Sequence, residues 1–205
     1  MVVNGNGLSN IIGKWSNFLT VRSIGANRCS SGPSFAGYDL RLSRRFRIPL
    51  NMNCGIKGSR ARISKDKEYV LPPASPLHPY ENYYDIILPD TINELIIPPH
   101  STILAHSVER IVVPSNLIGI CLGKSSYARI GLLCNTTPLE PGWSGYLVIE
   151  LSNLADWDIT LRVEEGIAQV IFLKLQEEAH YSGRWQNQEI PQDESQDLPD
   201  RQVST

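Results

Sequence analysis

The sequence predicts a mainly β fold, a sandwich or barrel with short helices, and three observations predict it. Seven short runs rich in Ile, Leu and Val follow one another between residues 95 and 175, separated by turn residues or longer loops. Helical periodicity is almost absent across the same region. Prolines at 49, 72, 73, 76, 79 and 89 exclude long helices from the stretch before it.

In chain order, residues 1–30 are rich in Gly, Asn and Ser, and the weakly amphipathic stretch 8–19 predicts one short helix. Residues 38–48 alternate loosely and end in Arg44, Arg45 and Arg47, which fits an edge strand. Residues 49–93 read as loops. The strand runs are 95–97, 102–107, 111–113, 117–122, 145–153, 159–163 and 167–175; Pro98-Pro99, Glu109-Arg110 and Pro114-Ser115 separate the first four. From Glu189 the chain is polar and acidic, with nothing to bury, and reads as a disordered tail. The division is an N-terminal segment 1–33, a β domain 34–188 and a tail 189–205.

Composition narrows the function classes. The 205 residues fit one domain with appendages, and 41% hydrophobic against 20% charged residues suffices for a core. A net charge of −2 supplies no overall basic field for duplex nucleic acid or an anionic membrane. No stretch reaches the ~18–20 apolar residues that span a bilayer, and the N-terminus lacks the pattern of a secretory signal. Cysteines 29, 54, 121 and 134 are scattered without a CxxC, the usage of a reduced, cytoplasmic chain with free thiols. His78, His100, His106 and His180 show no ligand spacing and read as surface or capping residues, so zinc is not expected.

Three places carry candidate chemistry. Gly123-Lys124-Ser125-Ser126-Tyr127-Ala128-Arg129 follows an apolar strand, and one helical turn there puts Ser125 and Arg129 on one face. Two hydroxyls, a lysine and an arginine beside backbone N–H groups suit a polyphosphate; a capped surface turn with solvated charges is the alternative. Thr136 to Gly145 makes a tight turn into a strand on which Tyr146, Val148 and Glu150 share one face. Mid-strand, Glu150 either loses water, so that its pKa rises and it can shuttle protons, or faces solvent. Gln169 interrupts an apolar run and either ties the sheet together or meets a ligand.

The ordered series GKSSYAR, NTTPLEPGWSGYLVIELSN, EEGIAQVIF and SGRWQNQ, with SFAGYD, PPHS and VERIVVP upstream, resembles the dCTP deaminase family of the trimeric dUTPase superfamily. The likeness covers about residues 34–188. It implies a distorted β-barrel or jelly roll, a homotrimer with nucleotide sites between subunits, and deamination of dCTP to dUTP and ammonia. It implies no catalytic metal, with magnesium accompanying the triphosphate and dUTP- or dTTP-type nucleotides as further ligands. The H-x-E…P-C-x-x-C signature of zinc-dependent deaminases is absent. By motif, Lys124, Ser125, Ser126, Tyr127, Ala128 and Arg129 form the phosphate turn, where Ser125 and Arg129 also orient the attacking water. Glu150 is the general acid/base. Glu140, Val148 and Ile149 line the sugar and base pocket, and Gln169, Tyr181, Arg184 and Gln188 match nucleotide contacts. The family's opening helix has no clear counterpart in the first 30 residues.

The nearest rivals are a dUTPase and a bifunctional enzyme that carries dCTP on to dUMP. In those a turn aspartate activates water for attack on phosphorus, and here Glu140 stands in its place. A catalytically silent nucleotide-binding regulator and a purely structural trimer are the rivals from other classes. Ser125 and Glu150 count against the first, and the phosphate turn against the second.

Overall fold

The computed structural model describes residues 1–49 and 83–189, with the backbone of two short strands at 54–55 and 62–63. Its elements are α1 (Gly5–Ile12), β1 (Gly32–Pro33), β2 (Tyr38–Pro49), β3 (Cys54–Gly55), β4 (Arg62–Ile63), β5 (Tyr83–Ile87) and β6 (Glu94–Ile97). They continue with β7 (Ser101–Val112), β8 (Leu117–Gly123), α2 (Ser125–Ala128), β9 (Leu132–Asn135), β10 (Ser144–Asn153), β11 (Ile159–Arg162) and β12 (Gly166–Lys174). The mainly β fold is as expected.

The large sheet runs β8-β12-β2-β7-β10-β9, with β1 and β5 also paired to β2, and the smaller sheet runs β11-β6-β3-β4. The large sheet curls until its edges meet: a Cβ on Gly123 would stand 2.7 Å from the Cβ of Cys134 on β9. The result is a nearly closed antiparallel barrel. Tyr38, Leu40, Phe46, Ile149, Val170 and Phe172 fill it, all fully buried or within 1% of it.

Several expectations need correction. The helix spans Gly5–Ile12 and stops at Gly13, earlier than the 8–19 pattern suggested. Leu8, Ile11 and Ile12 bury its apolar stripe, and Trp15 beyond it packs edge-on against Tyr38 at 5.1 Å. An opening helix is therefore present. Strand β2 is central, between β12 and β7, because its arginines are paired: Arg44 Nη2 donates to Asn93 Oδ1 and Arg47 Nε to Asp85 Oδ1, both at 2.7 Å. Glu109 does not break β7. It is fully buried and accepts hydrogen bonds from Tyr38 Oη at 3.2 Å, Arg41 N at 3.0 Å and Arg41 Nε at 2.7 Å.

The loop-rich reading of 49–93 misses β5; residues 50–53, 56–61 and 64–82 lie outside the described residues, as does His78. His106 is buried on β7, where burial lowers its pKa, and is no surface histidine. Glu189 ion-pairs with Arg110 at 3.0 Å, and the rest of the expected tail, 190–205, is outside the described residues. Cys29, Cys121 and Cys134 carry free thiols. Among the described residues no helix is long and apolar enough to cross a membrane.

Candidate active site

Strand β10 alternates strictly, so Leu147, Ile149 and Leu151 turn into the core while Val148 and Glu150 face the other way. That second face forms the floor of a cleft of about 540 Å³. Glu150, Val148, Glu140, Tyr181 and Gln188 line it, joined by Tyr83, Leu104, Trp143 and Trp185. Ile149 is fully buried, so its side chain does not reach the cleft.

Glu150 is half-buried between Leu104 of β7 and Asn135 of β9. Desolvation pushes its carboxyl above the ordinary value of 4.5, with its own main-chain N–H pulling the other way. Oε2 is buried and has no hydrogen-bond partner among the described residues. A carboxylate in that condition is ready to exchange a proton with a molecule entering the cleft.

The C-terminal segment builds the opposite wall. Trp143 Nε1 donates to Trp185 O at 2.7 Å, Gln186 Nε2 to Gly142 O at 2.9 Å, and Tyr146 N to Gln188 O at 2.8 Å. Gly145, at φ +148°, permits this contact, since a Cβ there would lie 2.7 Å from Gln188 N and O. Tyr181 and Gln188 thus reach the cleft together, whereas Arg184 is exposed and stacks on the Trp185 ring at 5.1 Å.

The turn at residues 124–129, predicted to hold phosphates, does not line this cleft. In α2, Ser125, Ser126 and Ala128 are exposed, as is Arg129 just after it, while Tyr127 is buried and anchors the turn. Lys124 Nζ reaches Asp39 Oδ2 at 2.7 Å, and Gln169 Nε2 reaches Asp39 Oδ1 at 2.9 Å. Sequence reasoning missed Asp39, which it takes only as part of SFAGYD. An acidic residue opening an apolar strand is the signal that could have singled it out. Trp185 and Tyr83 were missed because nothing local shows that their segments meet across β10. A further cleft of about 620 Å³ beside Glu94, Arg162 and Glu165 contains none of the predicted site residues.

A nearly closed antiparallel barrel whose cleft is centred on one desolvated carboxylate defines a class suited to proton transfer. A family model described as dCTP deaminase-like matches residues 24–175. The chain is 39% identical over 170 residues to the dCTP deaminase of Chlamydia caviae, covering 80% of this chain and 79% of that one. With the dCTP deaminase of Pseudomonas syringae pv. tomato it shares 37% over 174 residues, 82% of each chain. The fold superposes on the 2'-deoxycytidine 5'-triphosphate deaminase of Agrobacterium tumefaciens with a TM-score of 0.56 at 14% identity, over 83% of this chain and 47% of that one. The chain belongs to the dCTP deaminase-like family, as the motif series indicated.

Proposed function

We propose that the chain deaminates dCTP hydrolytically to dUTP and ammonia, acting in the cytoplasm. The observation that carries this is the half-buried carboxylate of Glu150, whose Oε2 has no hydrogen-bond partner among the described residues, in a cleft of a chain of this family. Glu150 takes a proton from water as the oxygen adds to cytosine C4, and passes it to N3. Glu150 then takes the proton of the new C4 hydroxyl and delivers it to the amino group, which leaves as ammonia as the C4 carbonyl forms. Bulk water has a pKa near ~15.7, so a base must take the proton during the attack.

The substrate's triphosphate needs cations, yet Glu140 and Glu150 are the only charged residues among the described ones lining the cleft. Ser125, Ser126 and Arg129 sit outside it, beside exposed Leu122, Ile130 and Leu133. In this proposal a second copy lays its turn over the cleft, the arrangement of a homotrimer with three shared sites. Magnesium belongs to the substrate, as the companion of the triphosphate, and zinc takes no part.

The test is incubation with dCTP and magnesium, followed by chromatography that separates dUTP from dUMP. Ammonia and dUTP are expected in equal amounts, unaffected by a zinc-selective chelator or a reductant. Because Glu140 lines the same cleft, dUMP with pyrophosphate is the product that would establish the bifunctional reading. Binding of dCTP without turnover would indicate a silent regulator.

A further inference from the structure

We propose that Asn135 is a further catalytic residue, whose side-chain N–H donates to the attacking oxygen beside Glu150. This rests on the reading of Glu150 as the base that activates water. Asn135 ends β9 and pairs directly with Glu150 across the ladder, the next pair being Cys134 with Leu151. Directly opposed residues of an antiparallel pair share a face and hold their Cβ atoms about 4.5–5.5 Å apart. The burial along β9 agrees. Leu132 is buried while Leu133 and Asn135 are exposed, so Asn135 looks out over the face that carries Val148 and Glu150.

Elimination assigns the role. Four side chains surround Glu150 on its own face: Leu104 and Asn135 across the two ladders, Val148 and Ser152 two residues either way along β10. Leu104 and Val148 are apolar and offer no hydrogen bond. Ser152 Oγ is held by Thr102 Oγ1 at 2.7 Å. Asn135 remains, exposed and with no side-chain hydrogen bond to another described residue. Its amide and Glu150 Oε2 are not bonded to each other although their strands pair there, so a third group can bridge them. Just beyond Asn135, Thr137 and Pro138 line the cleft.

The oxygen that adds to C4 is in turn a water, a hydroxyl and a carbonyl, and it accepts a hydrogen bond at each stage. The water gives one proton to Glu150 Oε2 and one lone pair to C4, and its other lone pair accepts from Asn135 Nδ2. The donation holds the water between the two side chains. It strengthens as negative charge gathers on the oxygen, when Glu150 takes the hydroxyl proton and the C4–N bond breaks. An amide suits this place better than a charged donor, since a cation opposite Glu150 would lower its pKa and weaken the base. The other titratable groups beside the pair are the Cys134 thiol, pushed up to about 12 chiefly by burial and so neutral, and Glu140, Tyr83 and Tyr181 in the cleft.

Steady-state kinetics of two variants test this, each confirmed folded by circular dichroism and run beside Glu150→Gln. Asn135→Leu keeps the branched shape and removes the donor. Its kcat is expected to fall about tenfold or more, with KM for dCTP within about threefold. Asn135→Asp cannot donate and sets a second carboxylate opposite Glu150, so kcat falls and the acidic limb of kcat/KM moves to higher pH. An Asn135→Leu protein whose kcat stays within about twofold of wild type, or whose loss is confined to KM, overturns the proposal. So does an Asn135→Asp protein whose acidic limb stays in place, and that nearly isosteric variant decides alone if the leucine variant does not fold. Near wild-type turnover by Glu150→Gln would instead overturn the reading of Glu150 on which the proposal rests.

Discussion

At the scale of the residue, Glu150 holds its place through strand pairing on both sides while its buried Oε2 has no partner among the described residues. Its raised pKa gives two consequences of opposite sign. A general base works only when ionised, so the acidic limb of kcat/KM should rise through a pKa above 4.5. The folded state meanwhile binds this proton more tightly than the unfolded chain. Stability from this group is full below the ordinary carboxylate pKa and is lost as pH rises through the raised value. Glu150→Gln keeps the shape and cannot return a proton, so kcat should fall about 10²–10⁴-fold with dCTP affinity within about tenfold. The same variant should melt a few degrees higher than wild type at neutral pH and show no such gain at pH 4, measured by calorimetry. Near wild-type ammonia release would remove Glu150 from the mechanism. Period-2 alternation made Glu150 legible in the sequence. The partners of Lys124 and Gln169 were not legible, because Asp39 lies 85 and 130 positions away and only the fold joins them.

At the scale of the element, pattern reading succeeds where a strand has one wet face and fails where charges are buried in pairs. Strands β8, β10 and β12 were legible within a residue or two because their apolar runs end in turn residues. Strand β7 read as two strands because Glu109 looks like a break until Arg41 is brought to it, and β2 read as an edge because its arginines looked solvated. Strand β9, four residues long, is too short to show a period. The approach of the N-terminal segment to β12 gives the prediction at this scale. Gly166 lies under Ser30, and a Cβ there would stand 1.9 Å from Ser30 O and 3.3 Å from Lys124 Cδ. Gly166→Ala must push that segment off the strand, with an overpacking cost of about 1–3 kcal/mol. Turnover should drop more than stability explains, while the pH of the acidic limb stays fixed because Glu150 is untouched. Unchanged kcat/KM in a folded Gly166→Ala protein would show that the seat of Ser30 does not matter to the site.

At the scale of the whole molecule, one chain has the proposed acid–base group Glu150 and the proposed phosphate turn but does not place them in one cleft. Moving α2 into the cleft of its own chain would break the Asp39 pairing and the main-chain bond to β12, so bringing in a second copy is the less costly solution. The apolar side chains beside the turn suit such a contact: Leu122 is 56% exposed and Leu133 48%. Light scattering should therefore report a trimer, and mixing two dead variants should distinguish a shared site from three separate ones. Arg129→Ala lacks a phosphate ligand and Glu150→Gln lacks the base, so each homotrimer should be inactive or nearly so. If a site takes its turn from one copy and its carboxylate from the next, reassembling equal amounts of the two joins one intact turn to one intact Glu150 at about a quarter of the sites. The refolded mixture should then recover about a quarter of wild-type turnover after denaturation and refolding together, and none when the separately refolded homotrimers are merely combined. Sites confined to single chains predict no recovery under either condition, because every chain in the mixture carries one lesion.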